Sequence, residues 1–178
     1  MKRKKHFTAS GIIGLLLIPV WGWVKSIFFV LANVMDVDHH LDFLWHSRFR
    51  NLNIKYVLKT APIFSYACLE FATKRKEGDP VPLAINAFHT IEVVAFVYFL
   101  GRWIDNYFIS TALTGIFWGM VLHIALDMID AIRLKVPFGR CWSFTEYFIR
   151  RYFMKKKGQN PSDFYKWVLD SILEKRRK

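Results

Sequence analysis

A run of apolar residues from Phe7 to Met35 ends abruptly in Asp36-Val37-Asp38-His39-His40-Leu41-Asp42. The run covers roughly 29 positions, more than the ~20 a helix needs to cross a bilayer. Pro19, Gly22 and Lys25 interrupt it near the middle. The segment is therefore either one straight helix or a helical hairpin turning around Pro19–Trp23. Arms of about 12 to 14 residues reach roughly 20 Å, which enters the ~30 Å hydrocarbon core without crossing it. Such a hairpin is re-entrant. Directly behind it, five side chains able to ligate a metal fall within seven positions: Asp36, Asp38, His39, His40 and Asp42. Carboxylates and imidazoles at the end of an apolar segment are costly to bury unless their charge is compensated. A divalent cation is the simplest compensation.

Two later segments repeat the pattern. His89 and Glu92 stand three apart in one apolar stretch, and His123 and Asp127 stand four apart in another. Both spacings put the pair on one helix face. The expectation is that the three pieces meet around metal, with Asp38, His39, His89, His123 and Asp127 as ligands. A lone histidine in an apolar helix is usually a hydrogen-bonded core residue. The competing reading is therefore a carboxylate–imidazole network that holds no metal. Asp130 also has Arg133 within reach as an ion-pair partner, which makes it a weaker candidate.

Composition places this chemistry in a membrane. The 178 residues are 53% hydrophobic and 17% aromatic, yet carry a formal net charge of +12. That combination fits a small membrane protein with basic cytoplasmic edges better than a soluble enzyme. Nucleic acid, the other usual partner of a basic chain, is disfavoured because Lys and Arg gather at the termini and in the loop at 74–76. Cys68 and Cys141 share no CxxC spacing and are expected as free thiols. Lys2-Arg3-Lys4-Lys5 before an apolar run has the outline of a signal peptide, but no small-x-small cleavage site follows, so the segment is expected to be retained.

The expected fold is all-α: a small integral-membrane helical bundle with a re-entrant N-terminal hairpin, two spanning helices and amphipathic helices. Leu83–Leu100 and Tyr107–Ile132 are the spans, and Ile54–Phe71 is an amphipathic, interfacial helix. Trp142–Met154 and Pro161–Leu173 alternate apolar and charged residues at helical spacing, with Asn160 as a cap for Pro161. Residues 1–137 form the membrane domain carrying the site, and residues 138–178 a basic C-terminal region. Positive charge marks the cytoplasmic side. Residues 2–5, 74–76 and the tail from Arg150 then lie inside, in a multi-pass protein of the cytoplasmic membrane with both termini cytoplasmic. Only the hairpin form of residues 7–35 brings Asp36–Asp42 to the side where His89 and His123 lie, and it returns His6 there too.

The ordered elements His6, Asp36-Val37-Asp38-His39, His89-Thr90 and His123-Ile124-Ala125-Leu126-Asp127 resemble the membrane-bound metal-dependent hydrolases of the YdjM-like family. The resemblance covers roughly residues 6 to 130 as short motifs in a membrane setting. In that family His-Arg-Gly-x-Thr precedes the middle histidine, whereas Ala84-Ile85-Asn86-Ala87-Phe88 stands here, so the chain reads as a divergent branch. The resemblance implies a metal-dependent hydrolase with His6, Asp38, His39, His89, His123 and Asp127 as ligands. The N/O ligand set suits Zn²⁺, with Mn²⁺ as the alternative. Glu92 or Asp36 would act as general base. A site at inner-leaflet depth makes a phosphoester of a membrane lipid the most economical substrate. The alternative is a non-catalytic membrane protein whose His/Asp/Glu cluster is structural or only binds metal.

Overall fold

The structure, a computed structural model, describes residues 3–32, 38–47, 49, 52–74, 83–85, 87–135 and 140–177. The order of elements is α1 (Arg3–Leu31), α2 (Asp38–His46), α3 (Ile54–Lys74), β1 (Ala84–Ile85), a 3₁₀ turn (Ala87–His89), α4 (Ile91–Trp103), α5 (Tyr107–Arg133), β2 (Arg140–Cys141), α6 (Phe144–Lys156) and α7 (Pro161–Arg177). The fold is all-α. Among the described residues, the extended pairing is a two-residue parallel bridge, Ala84 with Arg140 and Ile85 with Cys141. Two compact units result, each assembled from two separate stretches: Met1–Asp36 with Ala87–Arg133, and Val37–Asn86 with Leu134–Lys178.

In the first unit α1 is a hairpin. Gly22 breaks the helix at φ 75, ψ 167, a conformation open to glycine and strained for residues with a Cβ. The two arms fold back on each other, so that Gly14 faces Ser26, Phe29 and Val30. Trp21 stacks edge-on against Phe29 with centroids 5.8 Å apart. Lys25 Nζ lies 4.4 Å over the Trp21 ring, which gives the one charge in this arm an aromatic face to rest on.

The second arm packs along α5. A Cβ at Gly115 would collide with the carbonyl oxygen of Lys25, and one at Gly119 with that of Phe29. Small residues one turn apart permit this close backbone approach, as in the Gly-x-x-x-Gly contacts of membrane helices. Both partners advance by one turn together, so the arm runs in the direction of α5 and carries the chain toward His123. Ala32 then closes a small core with Val94 and Met120. α4 and α5 are joined by a three-residue turn. Asn106 caps α5 by accepting from the Ile109 N–H at 3.0 Å, and Ser110 Oγ donates to the Gly101 carbonyl at 2.7 Å.

Thr8–Leu31 and Tyr107–Arg133 are the two helical stretches long and apolar enough to cross a membrane. The first is folded at Gly22, so its arms are shorter than its total length. Leu83–Leu100, expected as one spanning helix, is broken. It is extended at Ala84–Ile85, 3₁₀ at Ala87–His89 and helical only over the 13 residues of α4, about 20 Å. The reason is tertiary. Leu83 is drawn into a core with Cys141 and Met154, and Thr90 is extended at φ −93, ψ 145.

The second unit buries Phe43, Phe64, Phe164 and Val168 between α2, α3 and α7. α3 contributes Val57, Thr60, Ala61, Phe64 and Ala67 at helical spacing and leaves Ile54, Leu58 and Tyr66 exposed, the amphipathic pattern its sequence predicts. Asn160 caps α7 as expected, accepting from the Ser162 N–H at 3.1 Å. Asn53 does the same for α3 through the Tyr56 N–H at 3.2 Å. Both cysteines are free thiols. Burial pushes the Cys141 thiol up to about 11, and burial followed by the nearby Asp42 charge pushes Cys68 up as well.

Candidate metal centre

Two elements of the first unit build the site. α5 supplies His123 and Asp127, one turn apart on its inward face, four residues beyond the Gly119 contact. The 3₁₀ turn ahead of α4 supplies His89, whose ring meets that of His123 with centroids 4.7 Å apart. His89 and His123 are 1% and 3% exposed, and Thr90 beside them is fully buried. The break in the Leu83–Leu100 segment therefore positions the site. It turns His89 toward α5 and lets α4 start immediately after.

The polar atoms converge. His89 Nε2 lies 2.8 Å from His123 Nε2, 3.4 Å from Asp127 Oδ2, and His123 Nε2 lies 3.8 Å from the same oxygen. A triangle with sides of 2.8, 3.4 and 3.8 Å has a circumradius of about 2.0 Å, so one point is equidistant from all three atoms at the usual Zn–N and Zn–O bond length. The donor set of two imidazoles and one carboxylate suits Zn²⁺ or Mn²⁺. Asp127 is 12% exposed on its side chain, which leaves the group one approach from outside.

Among the described residues this is the group of histidine and carboxylate side chains close enough to share an ion. Of the expected ligands it holds His89, His123 and Asp127. Glu92 stands in the first turn of α4 with one carboxylate oxygen buried, outside the three-residue group. Asp36 lies outside the described residues, as do the side chains of His6, Asp38 and His39. The glycines that let α1 press against α5 were not picked out by the search for ligands. Their signal was present in the sequence as Gly115-Ile116-Phe117-Trp118-Gly119 within an apolar helix. Comparison of the chain with protein-family models, with curated proteins and with solved structures finds no match.

Proposed function

We propose that the protein is an integral-membrane metal-dependent hydrolase acting on a phosphoester of a membrane lipid, with His89, His123 and Asp127 holding a divalent ion, Zn²⁺ first and Mn²⁺ as the alternative. The observation that carries this reading is the convergence of three donor atoms, from two buried histidines and a partly buried aspartate, on one point about 2.0 Å from each. Depth adds to it. Trp103 and Tyr107 at the α4–α5 turn are almost fully exposed, as residues of an interfacial aromatic belt would be. Asp127 lies twenty residues further along α5, about 30 Å, which is the thickness of the hydrocarbon core. A site at that level faces head groups and ester linkages rather than acyl tails. The positive-inside rule puts this end, with Arg133 and the N-terminal Lys–Arg cluster, on the cytoplasmic side. The α1 hairpin is then re-entrant from that side.

A divalent ion held by His89, His123 and Asp127 would supply activation of water and polarisation of a phosphoryl oxygen. The chain's own residues do the rest. His89 and His123 present their Nε2 atoms, held in place by burial. Asp127 adds the negative charge that offsets the cation. Glu92 is assigned to carry the proton, with Asp36 as the second carboxylate for that role. Elemental analysis of the purified, detergent-solubilised protein, followed by a phosphate-release assay on lipid phosphoesters, tests the reading. One equivalent or more of Zn or Mn that disappears in His123→Ala supports it.

A second reading has one observation in its favour. The 2.8 Å Nε2–Nε2 distance is also that of an N–H···N hydrogen bond, so a metal-free His–His–Asp network fits the same coordinates. Metal content separates the two.

A further inference from the structure

α6 is held to its unit by one face alone. Met154 packs on Leu83 and Cys141, with Tyr147 beside them. Arg150 donates to Glu146 Oε1 at 3.3 Å and lies 3.6 Å from Cys141 Sγ. The opposite face is apolar and open. Phe148, Ile149, Tyr152 and Phe153 each leave more than half of their surface exposed. At 100° per residue these four fall within one arc of roughly 140°. Arg151 and Lys155 border the arc on one side, and Lys156 and Lys157 follow at the C-terminal end. The one acidic residue of the helix, Glu146, lies about 20° beyond Phe153 at the other edge of the arc, where its charge is paired with Arg150.

We infer that this face of α6 is an interfacial anchor that lies in the plane of a bilayer and binds anionic phospholipid, with Phe148, Ile149, Tyr152 and Phe153 inserted and Arg151, Lys155 and Lys156 on the head groups. Charge decides the occupant. Glu146 at the edge of this face is neutralised by Arg150, which leaves Arg151, Lys155 and Lys156 as its net charge, so a second copy of the same face would repel it, while an anionic lipid surface complements it. Long Lys and Arg stems let the charges rise to the phosphates while the aromatic rings sit below. Each charge at an anionic surface contributes about fivefold in affinity. The anchor is independent of the metal centre.

The test uses the full chain with Phe148→Cys carrying an environment-sensitive fluorophore. Cys141 is buried and Cys68 half-buried, and both thiols are pushed up from their usual range, which slows their labelling in the folded protein. The labelled protein is reconstituted into vesicles of phosphatidylcholine alone, or with about one-third phosphatidylglycerol. The same label at exposed Lys166→Cys on α7 is the control. A blue-shifted emission quenched by shallow lipid-borne quenchers, stronger in the anionic vesicles and reduced at least tenfold in lipid sensitivity by Arg151→Glu with Lys155→Glu, is the expected result. Emission at position 148 that matches the control in both vesicles overturns the proposal. So does efficient 148–148 disulfide cross-linking, which would assign the face to a second copy. Metal content measured on the same variants reads the catalytic proposal separately, so either can fail alone.

Discussion

Replacing His123 by Ala separates a metal centre from a polar network because the two readings predict different responses to a chelator. The imidazole removed is buried and lies 2.8 Å from His89 Nε2. Removing that buried hydrogen-bonding group costs about 1–3 kcal/mol whether or not metal is present. The metal-dependent part is additional. A protein site saturated a thousandfold above its Kd gains about 4 kcal/mol of stability. For a chain of 178 residues that amounts to roughly 10 °C in the unfolding midpoint. Loss of one of three donors weakens the site beyond the ~100-fold of a lost outer-shell partner, and a drop of about a thousandfold removes roughly nine-tenths of that gain. The assay is thermal unfolding of the detergent-solubilised protein as isolated, after chelation and after adding back Zn²⁺, alongside elemental analysis. Chelation should lower the wild-type midpoint by about 10 °C, and added Zn²⁺ should restore it. His123→Ala should start low and respond to neither treatment. If the wild type carries no stoichiometric metal and its midpoint ignores both chelator and Zn²⁺, while His123→Ala is still destabilised, the cluster is a hydrogen-bonded network and the catalytic proposal falls.

Glu92→Gln should keep its metal and lose phosphate release, since the carboxylate stands outside the three-donor group; full activity in this variant would make Glu92 structural. Gly119→Val should cost about 1–3 kcal/mol by overpacking against the Phe29 backbone, whereas Gly11→Ala, with open space around its Cβ position, should be neutral or slightly stabilising in the same unfolding assay. Cysteines placed at exposed Thr8 and Leu41 should label from the same side of the membrane; labelling from opposite sides would contradict the re-entrant hairpin. Stability should be flat below about pH 9 and fall as pH rises further. Burial pushes Cys141, Cys68 and Tyr165 upward in the fold, so the unfolded chain releases their protons first and is favoured in alkali. Denaturant midpoints measured from pH 7 to 11 that stay constant would refute the assignment.

Residue types and spacing alone determined much of the helical content. The limits of α5 follow from an apolar run between the turn at Gly101–Asn106 and Arg133, and the start of α7 from Asn160-Pro161, because caps and apolar periodicity are local properties of the chain. The hairpin in α1 was only partly legible: Pro19, Gly22 and Lys25 allow a straight helix or a turn, and the turn is favoured because basic-residue placement and assembly of Asp36–Asp42 with His89 and His123 require it together. His123 and Asp127 were legible as a pair because helical spacing fixes their common face. What the sequence left open was decided by contacts distant along the chain. Hydropathy reads Leu83–Leu100 as continuous, and nothing local assigns Leu83 to the core of Cys141 and Met154 while His89 joins α5. That division breaks the helix, shortens α4 and turns His89 onto His123, thirty-four residues away. Likewise, Gly115 and Gly119 are small residues in a helix until the second arm of α1 is laid against them. Whether three donor atoms share one point depends on backbone approach across that interface, a distance that no periodicity along a single helix encodes.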